Sequence, residues 1–144
     1  MVVLTGAGGS LGRQHALALA VRGEKVVVND WGGSLDGQCS TRTAAQAVVG
    51  EIRAASGVAM ANGAAVTDVH AVQAMVTQTL AAWGPVDILV NNASILRDKI
   101  FSKMDLDDFR LVTEMHLMGA VNCYKAELAV MRTQNYGRIV MTPS

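Results

Sequence analysis

The feature that most constrains the fold is a strict alternation of two kinds of segment. Short apolar runs, Val2 to Leu4, Val26 to Val28, Val58 to Ala61, Val86 to Val90 and Ile139 to Met141, have the length of buried strands. Between them lie longer stretches suited to helices: Leu11 to Arg22, Thr43 to Ser56, Val69 to Trp83, and Leu106 to Arg132. The strands are apolar at every position, as strands covered on both faces must be. The pattern predicts a parallel sheet with right-handed crossovers, the doubly wound α/β class. No repeat, linker or low-complexity stretch divides the 144 residues, so a single domain is expected.

Composition excludes several classes. Hydrophobic residues make up 51% and charged residues 17%, a globular balance. Twelve basic residues offset twelve acidic ones, and no basic cluster stands out, so nucleic acid is not an expected partner. No run approaches the roughly 20 apolar residues that span a bilayer. The apolar start is broken by Gly6, Gly8, Gly9, Gly12 and Arg13 and lacks a basic lead, unlike a signal peptide. The expectation is a soluble protein of a reducing compartment, the cytoplasm. Cys39 and Cys123 show no CxxC spacing and no His cluster nearby, which predicts two free thiols, one of them buried, and no metal site. In the last helical stretch, LVTEMHLMGAVNCYKAELAVM, apolar side chains run nearly all the way round, with Glu114, Lys125 and Glu127 as charged exceptions. Such a helix is expected to be buried on more than one side. One face would cover the sheet, and the other would meet further sequence or a second subunit.

The loop between the first strand and the first helix is TGAGGSLG, Thr5 to Gly12. Gly6 suits a tight turn out of the strand, the middle glycines, Gly8 among them, let backbone approach a pyrophosphate, and Gly12 lets the helix pack close to the sheet. The helix N-terminus offers unpaired N–H groups to phosphates. Asp30 ends the second strand at about the ~20-residue spacing where a carboxylate meets an adenosine ribose. A carboxylate there accepts from both ribose hydroxyls and repels a 2′-phosphate, so the expected cofactor is NAD. Arg13 is the only nearby basic candidate for a 2′-phosphate.

With this loop, VVVND and NNAS in view, the chain resembles the short-chain dehydrogenase/reductases over essentially its whole length. The strings VVVNDWGG, ILRD, MHLMG and YGRIVMT resemble the (3R)-hydroxyacyl-CoA dehydrogenase domains of multifunctional β-oxidation enzymes. The resemblance implies a Rossmann fold and places Ser10 and Leu11 under the pyrophosphate, beside the glycines. It implies Asp68 and Val69 at the adenine, and Asn91, Asn92 and Ala93 along the cofactor. Asp68 also reads independently as the N-cap of the helix that starts at Val69. Three positions depart from the family pattern: Ser10 replaces a glycine, Ser94 ends NNAS where NNAG is usual, and His116 stands where most members carry a catalytic Asn. The hydroxyacyl-CoA group is similar in having His there.

The family oxidises a secondary alcohol with a Tyr base, a Lys one helical turn on, and an upstream Ser. That Ser aligns with Ser144, and the Tyr and Lys would follow it; neither Tyr124 nor Tyr136 has a Lys at the required spacing. The chain is therefore expected to be an NAD-binding Rossmann domain, residues 1–144, truncated after the fifth strand and lacking the Tyr–Lys segment. Ser144 and His116 are its expected catalytic residues. The expected substrate is a 3-hydroxyacyl-CoA or another secondary alcohol, acted on by a homo-oligomer in the full-length form. A peroxisomal location is implied if the source is eukaryotic. The alternative is a non-catalytic nucleotide-binding or interaction module, complete as written. Residues Trp31 to Ser40 resemble an insertion of the hydroxyacyl-CoA group and read equally as a solvated loop.

Overall fold

A computed structural model describes residues 1–32 and 43–142. Five parallel strands form one sheet in the order β3-β2-β1-β4-β5, where β1 is Val2–Thr5, β2 Val26–Asn29, β3 Ala59–Asn62, β4 Ile88–Asn91 and β5 Arg138–Met141. The order reverses direction at β1, between the β1–β2 and β1–β4 pairs, as in a doubly wound fold. Each expected strand is present, its bounds shifted by one or two residues. The shift follows from hydrogen bonding: pairing carries on to polar residues such as Asn29, Asn62 and Asn91 that an apolar run does not mark.

Helices α1 (Ser10–Val21), α2 (Thr43–Ala54) and α3 (Val69–Trp83) follow the first three strands. The sheet alternates its side chains between two cores. Val2, Leu4, Val26 and Val28 face Ala16, Val48 and Ile52 of α1 and α2. Val3, Val27 and Leu89 face Val72 and Met75 of α3 and Cys123 and Met131 of the last helix. β1 and β2 are wholly buried, whereas β5, at the sheet edge, is mostly exposed. Full burial thus holds for the central strands and fails at the edge.

The single helix expected from Leu106 to Arg132 is three pieces. After a 3₁₀ turn at Phe101–Lys103 come α4 (Leu106–Thr113), a π turn at Glu114–Met118, and α5 (Gly119–Thr133). Only one stripe of α5 is buried, formed by Gly119, Cys123, Glu127 and Met131. That stripe covers the sheet, while Leu106, Phe109, Leu117, Val121 and Tyr124, apolar side chains of the α4–α5 stretch expected to meet further sequence or a second subunit, are exposed. The sequence pattern also groups Glu127 with Glu114 and Lys125 as a polar interruption, yet Glu127 is fully buried. Helical phase explains it: Glu127 lies one turn from both Cys123 and Met131. Cys123 is a free, buried thiol; Cys39 lies outside the described residues. No described helix is long and apolar enough to cross a membrane.

Leu4→Ala is expected to destabilise the fold by about 3 kcal/mol through the cavity it leaves. Val121→Ser, on the exposed side of α5, is expected to change stability by less than about 0.5 kcal/mol. Urea unfolding of the two variants checks the contrast.

Candidate cofactor site

The carboxyl ends of β1, β2 and β4 converge with the N-terminus of α1. Gly6 has φ +62°, the left-handed turn out of β1, and an added Cβ would sit 2.7 Å from the Ala93 Cα. Gly12 is more constrained: a Cβ there would lie 2.1 Å from the Gly6 carbonyl oxygen and 2.7 Å from Asn92 Nδ2. Helix α1 can therefore rest against the strand ends only with hydrogen at that position. Gly9 caps α1 with no side-chain acceptor, so the first-turn N–H groups take no side-chain partner. Ser10 has φ +45°. This is where the family usually has glycine, and the backbone still adopts a glycine-like conformation there. Leu11 follows it on the exposed start of α1.

Within that loop Gly8 also holds Asp30 in place. Its N–H donates to Asp30 Oδ2 at 2.8 Å, and an added Cβ would stand 2.7 Å from that oxygen. Gly32 N–H donates to Asp30 Oδ1, also at 2.8 Å. Both carboxylate oxygens are thus held in place by backbone, each with acceptor capacity to spare. Arg13 forms a two-contact ion pair with Glu51, tying α1 to α2.

After β3, Asp68 caps α3, its Oδ1 accepting from His70 N–H at 2.9 Å and Ala71 N–H at 3.1 Å. Val69 follows it, exposed. Behind them, buried Asn29 donates through Nδ2 to Asn62 Oδ1 and to the Ala64 carbonyl, both at 3.0 Å, fixing the strand ends.

At the end of β4 the three expected residues divide their work. Asn92 Nδ2 donates to the Thr5 and Gly6 carbonyls at 3.1 and 3.0 Å, and its Oδ1 accepts from Thr142 Oγ1 at 3.2 Å. Its side chain braces the glycine loop. The N–H groups of Asn92 and Ala93 both donate to Thr5 Oγ1, at 3.0 and 3.1 Å. Asn91 is buried with Nδ2 on Met141 Sδ at 3.3 Å, and its Oδ1 has no hydrogen-bond partner. Thr5, Asn29 and Thr142 are therefore site-building residues that pattern reading missed. Their signal was a hydroxyl or amide closing an otherwise apolar strand.

His116 lies within the π turn, where Gly119 N–H donates to the Glu114 carbonyl in place of an α-helical bond. Such turns rotate a side chain out of helical phase and recur at functional sites. Its Nε2 is 2.9 Å from the Ile95 carbonyl oxygen and 3.1 Å from the Ile95 nitrogen. With the proton on Nε2 it donates to the carbonyl; with Nε2 bare, Ile95 N–H donates to it. Either way His116 ties the π turn to the segment after β4. A cavity of about 30 Å³ lies here, lined by Thr5, Asn91, Ala93, His116 and Thr142 among others. A larger concavity of about 560 Å³ involves Met131, Arg132, Tyr136 and Arg138 at the opposite end of β5, away from these groups. The post-β4 segment is held further by Asp108, which takes Lys99 Nζ at 2.5 Å and Arg97 Nε at 3.1 Å. The Lys99 hydrogen bond, foremost, keeps that carboxyl below its ordinary range. Ser144 lies outside the described residues, as does most of the Trp31 to Ser40 segment. Among the described residues no group of three or more His, Cys, Asp and Glu could hold a metal ion.

Fold and loop together define a Rossmann-type α/β domain, with the glycine loop at the strand-order reversal where sheets of this class bind ligands. The family model described as "short chain dehydrogenase" matches residues 1–144, and the chain belongs to that family. It is 49% identical over 145 residues to the peroxisomal multifunctional enzyme type 2 of Drosophila melanogaster, covering 100% of this chain and 24% of the relative. It is 45% identical over 144 residues to the peroxisomal hydratase-dehydrogenase-epimerase of Saccharomyces cerevisiae, covering 100% and 16%. A metagenomic short-chain oxidoreductase solved in complex with NADP matches with TM-score 0.85 and 26% identity, over 98% of this chain and 59% of that one. The chain thus spans a quarter or less of these two multifunctional relatives.

The strained Ser10 and the crowded Gly12 predict opposite outcomes. Ser10→Gly is expected to stabilise the chain by about 1 kcal/mol by removing a left-handed non-glycine residue. Gly12→Ala is expected to cost about 2 to 3 kcal/mol or more, since backbone must shift to admit the methyl group. Thermal unfolding reads both.

Proposed function

We propose that this chain is the cofactor-binding part of an NAD-dependent oxidoreductase acting on a secondary alcohol such as a 3-hydroxyacyl-CoA. The observation that carries the cofactor choice is Asp30, whose two oxygens are fixed by Gly8 and Gly32 while Arg13 is committed to Glu51. A carboxylate held there suits two ribose hydroxyls and opposes a 2′-phosphate. The α1 N-terminus and the glycine loop supply N–H groups for a pyrophosphate, and the loop has the bare backbone that such an approach requires. Asp68 and Val69 stand at the adenine end, and Asn91, Ala93 and His116 at the nicotinamide end. When bound, NAD would take up the hydride from the alcohol carbon. Ser144 would hold the alcohol oxygen, and His116 would keep the post-β4 segment seated and help pass the proton. The Tyr and Lys that complete this chemistry in the family belong, in this reading, to sequence following residue 144. The substrate class rests on likeness to the peroxisomal multifunctional enzyme type 2 and the peroxisomal hydratase-dehydrogenase-epimerase, together with the motif strings that resemble the hydroxyacyl-CoA group. A homo-oligomeric full-length form and a peroxisomal setting in a eukaryote belong to the same reading.

Two measurements test it. Calorimetric titration of the chain is expected to show NAD binding at least about tenfold more tightly than NADP, or about 1.4 kcal/mol. Asp30→Ala is expected to narrow that gap, and equal affinities in the unaltered chain would sink the cofactor assignment. In a protein that also carries the Tyr–Lys segment, His116→Ala is expected to lower kcat by on the order of 10²-fold with little change in KM for NAD. Unchanged turnover with reduced thermal stability would make His116 purely structural.

A further inference from the structure

Midway along α5, Glu127 exposes 0% of its surface, and neither carboxylate oxygen has a hydrogen-bond partner. It belongs to the buried stripe of α5 with Cys123 and Met131, on the side where α5 meets α3. That side is apolar, made of Val3, Val72, Met75 and Leu89. No cation faces it. Helix α3 carries a single titratable residue, His70, at its exposed first turn, and the spans of β1 and β4 carry none. Asp87, just before β4, is paired with the Met1 amino group. On α5 itself Tyr124, Lys125 and Arg132 are exposed, as is Arg138 at the start of β5. A carboxylate so placed has nothing to replace the water it lost, and only its neutral form suits the site.

We infer that Glu127 is a proton-controlled latch on the packing of α5 against α3: the neutral acid lets the helices close, and loss of its proton loosens them. This role stands apart from the cofactor site. The two ends of the helix are pinned independently. Asn122 Nδ2 donates to the Val66 carbonyl at 3.0 Å, and Gln134 Nε2 donates to the Val86 carbonyl at 2.8 Å. Loosening is therefore concentrated between Asn122 and Gln134, the span that holds Glu127.

Burial raises the Glu127 carboxyl to about 7, and burial first, then the charge of Glu127, raises the Cys123 thiol to about 12. The sign follows by linkage. Below the ordinary carboxylate value of 4.5 both folded and unfolded chains hold the proton, and Glu127 adds no pH dependence. Between there and about 7 the unfolded chain releases the proton while the folded one keeps it, so stability falls as pH rises. Above that window both are ionised and the loss is complete.

The test compares the unaltered chain with Glu127→Gln and Glu127→Leu across this pH range. Urea unfolding midpoints of the unaltered chain are expected to fall as pH rises through the window, relative to both variants. Amide exchange in α5 is expected to speed up above it, relative to Glu127→Gln at each pH. Carbon NMR of the Glu127 carboxyl in the unaltered chain is the deciding measurement should the variants fold poorly. A titration midpoint near neutrality supports the latch. An ordinary carboxylate midpoint, or pH profiles parallel to those of the variants, overturns it.

Discussion

The close seating of α1 on the ends of β1 and β4 is the contact on which the rest of the arrangement depends. It exists because position 12 has no side chain: any Cβ would collide with the Gly6 carbonyl. Asn92 then closes the junction, its amide spanning the Thr5 and Gly6 carbonyls on one side and the Thr142 hydroxyl on the other. Three strand ends and a helix start are thereby held in one place by a single polar side chain. Everything that gives the crevice its character is referred to that junction, from the uncapped α1 N–H groups to the Asp30 carboxylate across the loop.

Thr5 has a complementary part. Its hydroxyl accepts two consecutive N–H groups that leave β4, and donates toward the Val90 carbonyl at 3.4 Å. Backbone donors at the end of a buried strand would otherwise be left without partners in an apolar setting, at a cost of about 1–3 kcal/mol each. The polar residues at the sheet's carboxyl edge are therefore a condition for ending the strands, whatever else they contact. Between β2 and β3 the Asn29 amide donates to the Ala64 carbonyl and to Asn62 Oδ1, and that oxygen in turn accepts the Ala64 N–H.

Strand and helix order was legible in the sequence because a sheet covered on both faces leaves an unbroken apolar signal at Val2 to Leu4 and Val26 to Val28. Asp30 and the glycine loop were legible because their spacing follows from one strand–helix–strand unit. Other features were not. The bonding of Gly8 to Asp30 depends on a fold-back distance that no local pattern encodes. The ion pair of Arg13 with Glu51 joins two helices that are remote in sequence. The burial of Glu127 was hidden because a carboxylate reads as a solvated residue, and only the phase of α5 assigns it to the core. The break between α4 and α5 was hidden for a related reason: helix-compatible residues run straight through Glu114–Met118, and one extra residue in a turn leaves no mark in composition.

That break has a geometric consequence. A π turn holds one residue more than the α-helical turn it replaces, and each residue advances an α-helix by about 100°. The extra residue is absorbed within Glu114–Met118, so the winding on either side keeps nearly the phase of a helix one residue shorter. Leu106 and Phe109 before it, and Val121 and Tyr124 after it, are all exposed. Removing one residue from Glu114–Met118 would restore an ordinary turn and leave those pairs in nearly the same relation, while swinging His116 away from Ile95. The inserted residue thus serves the direction of one imidazole and leaves the course of the helix almost untouched.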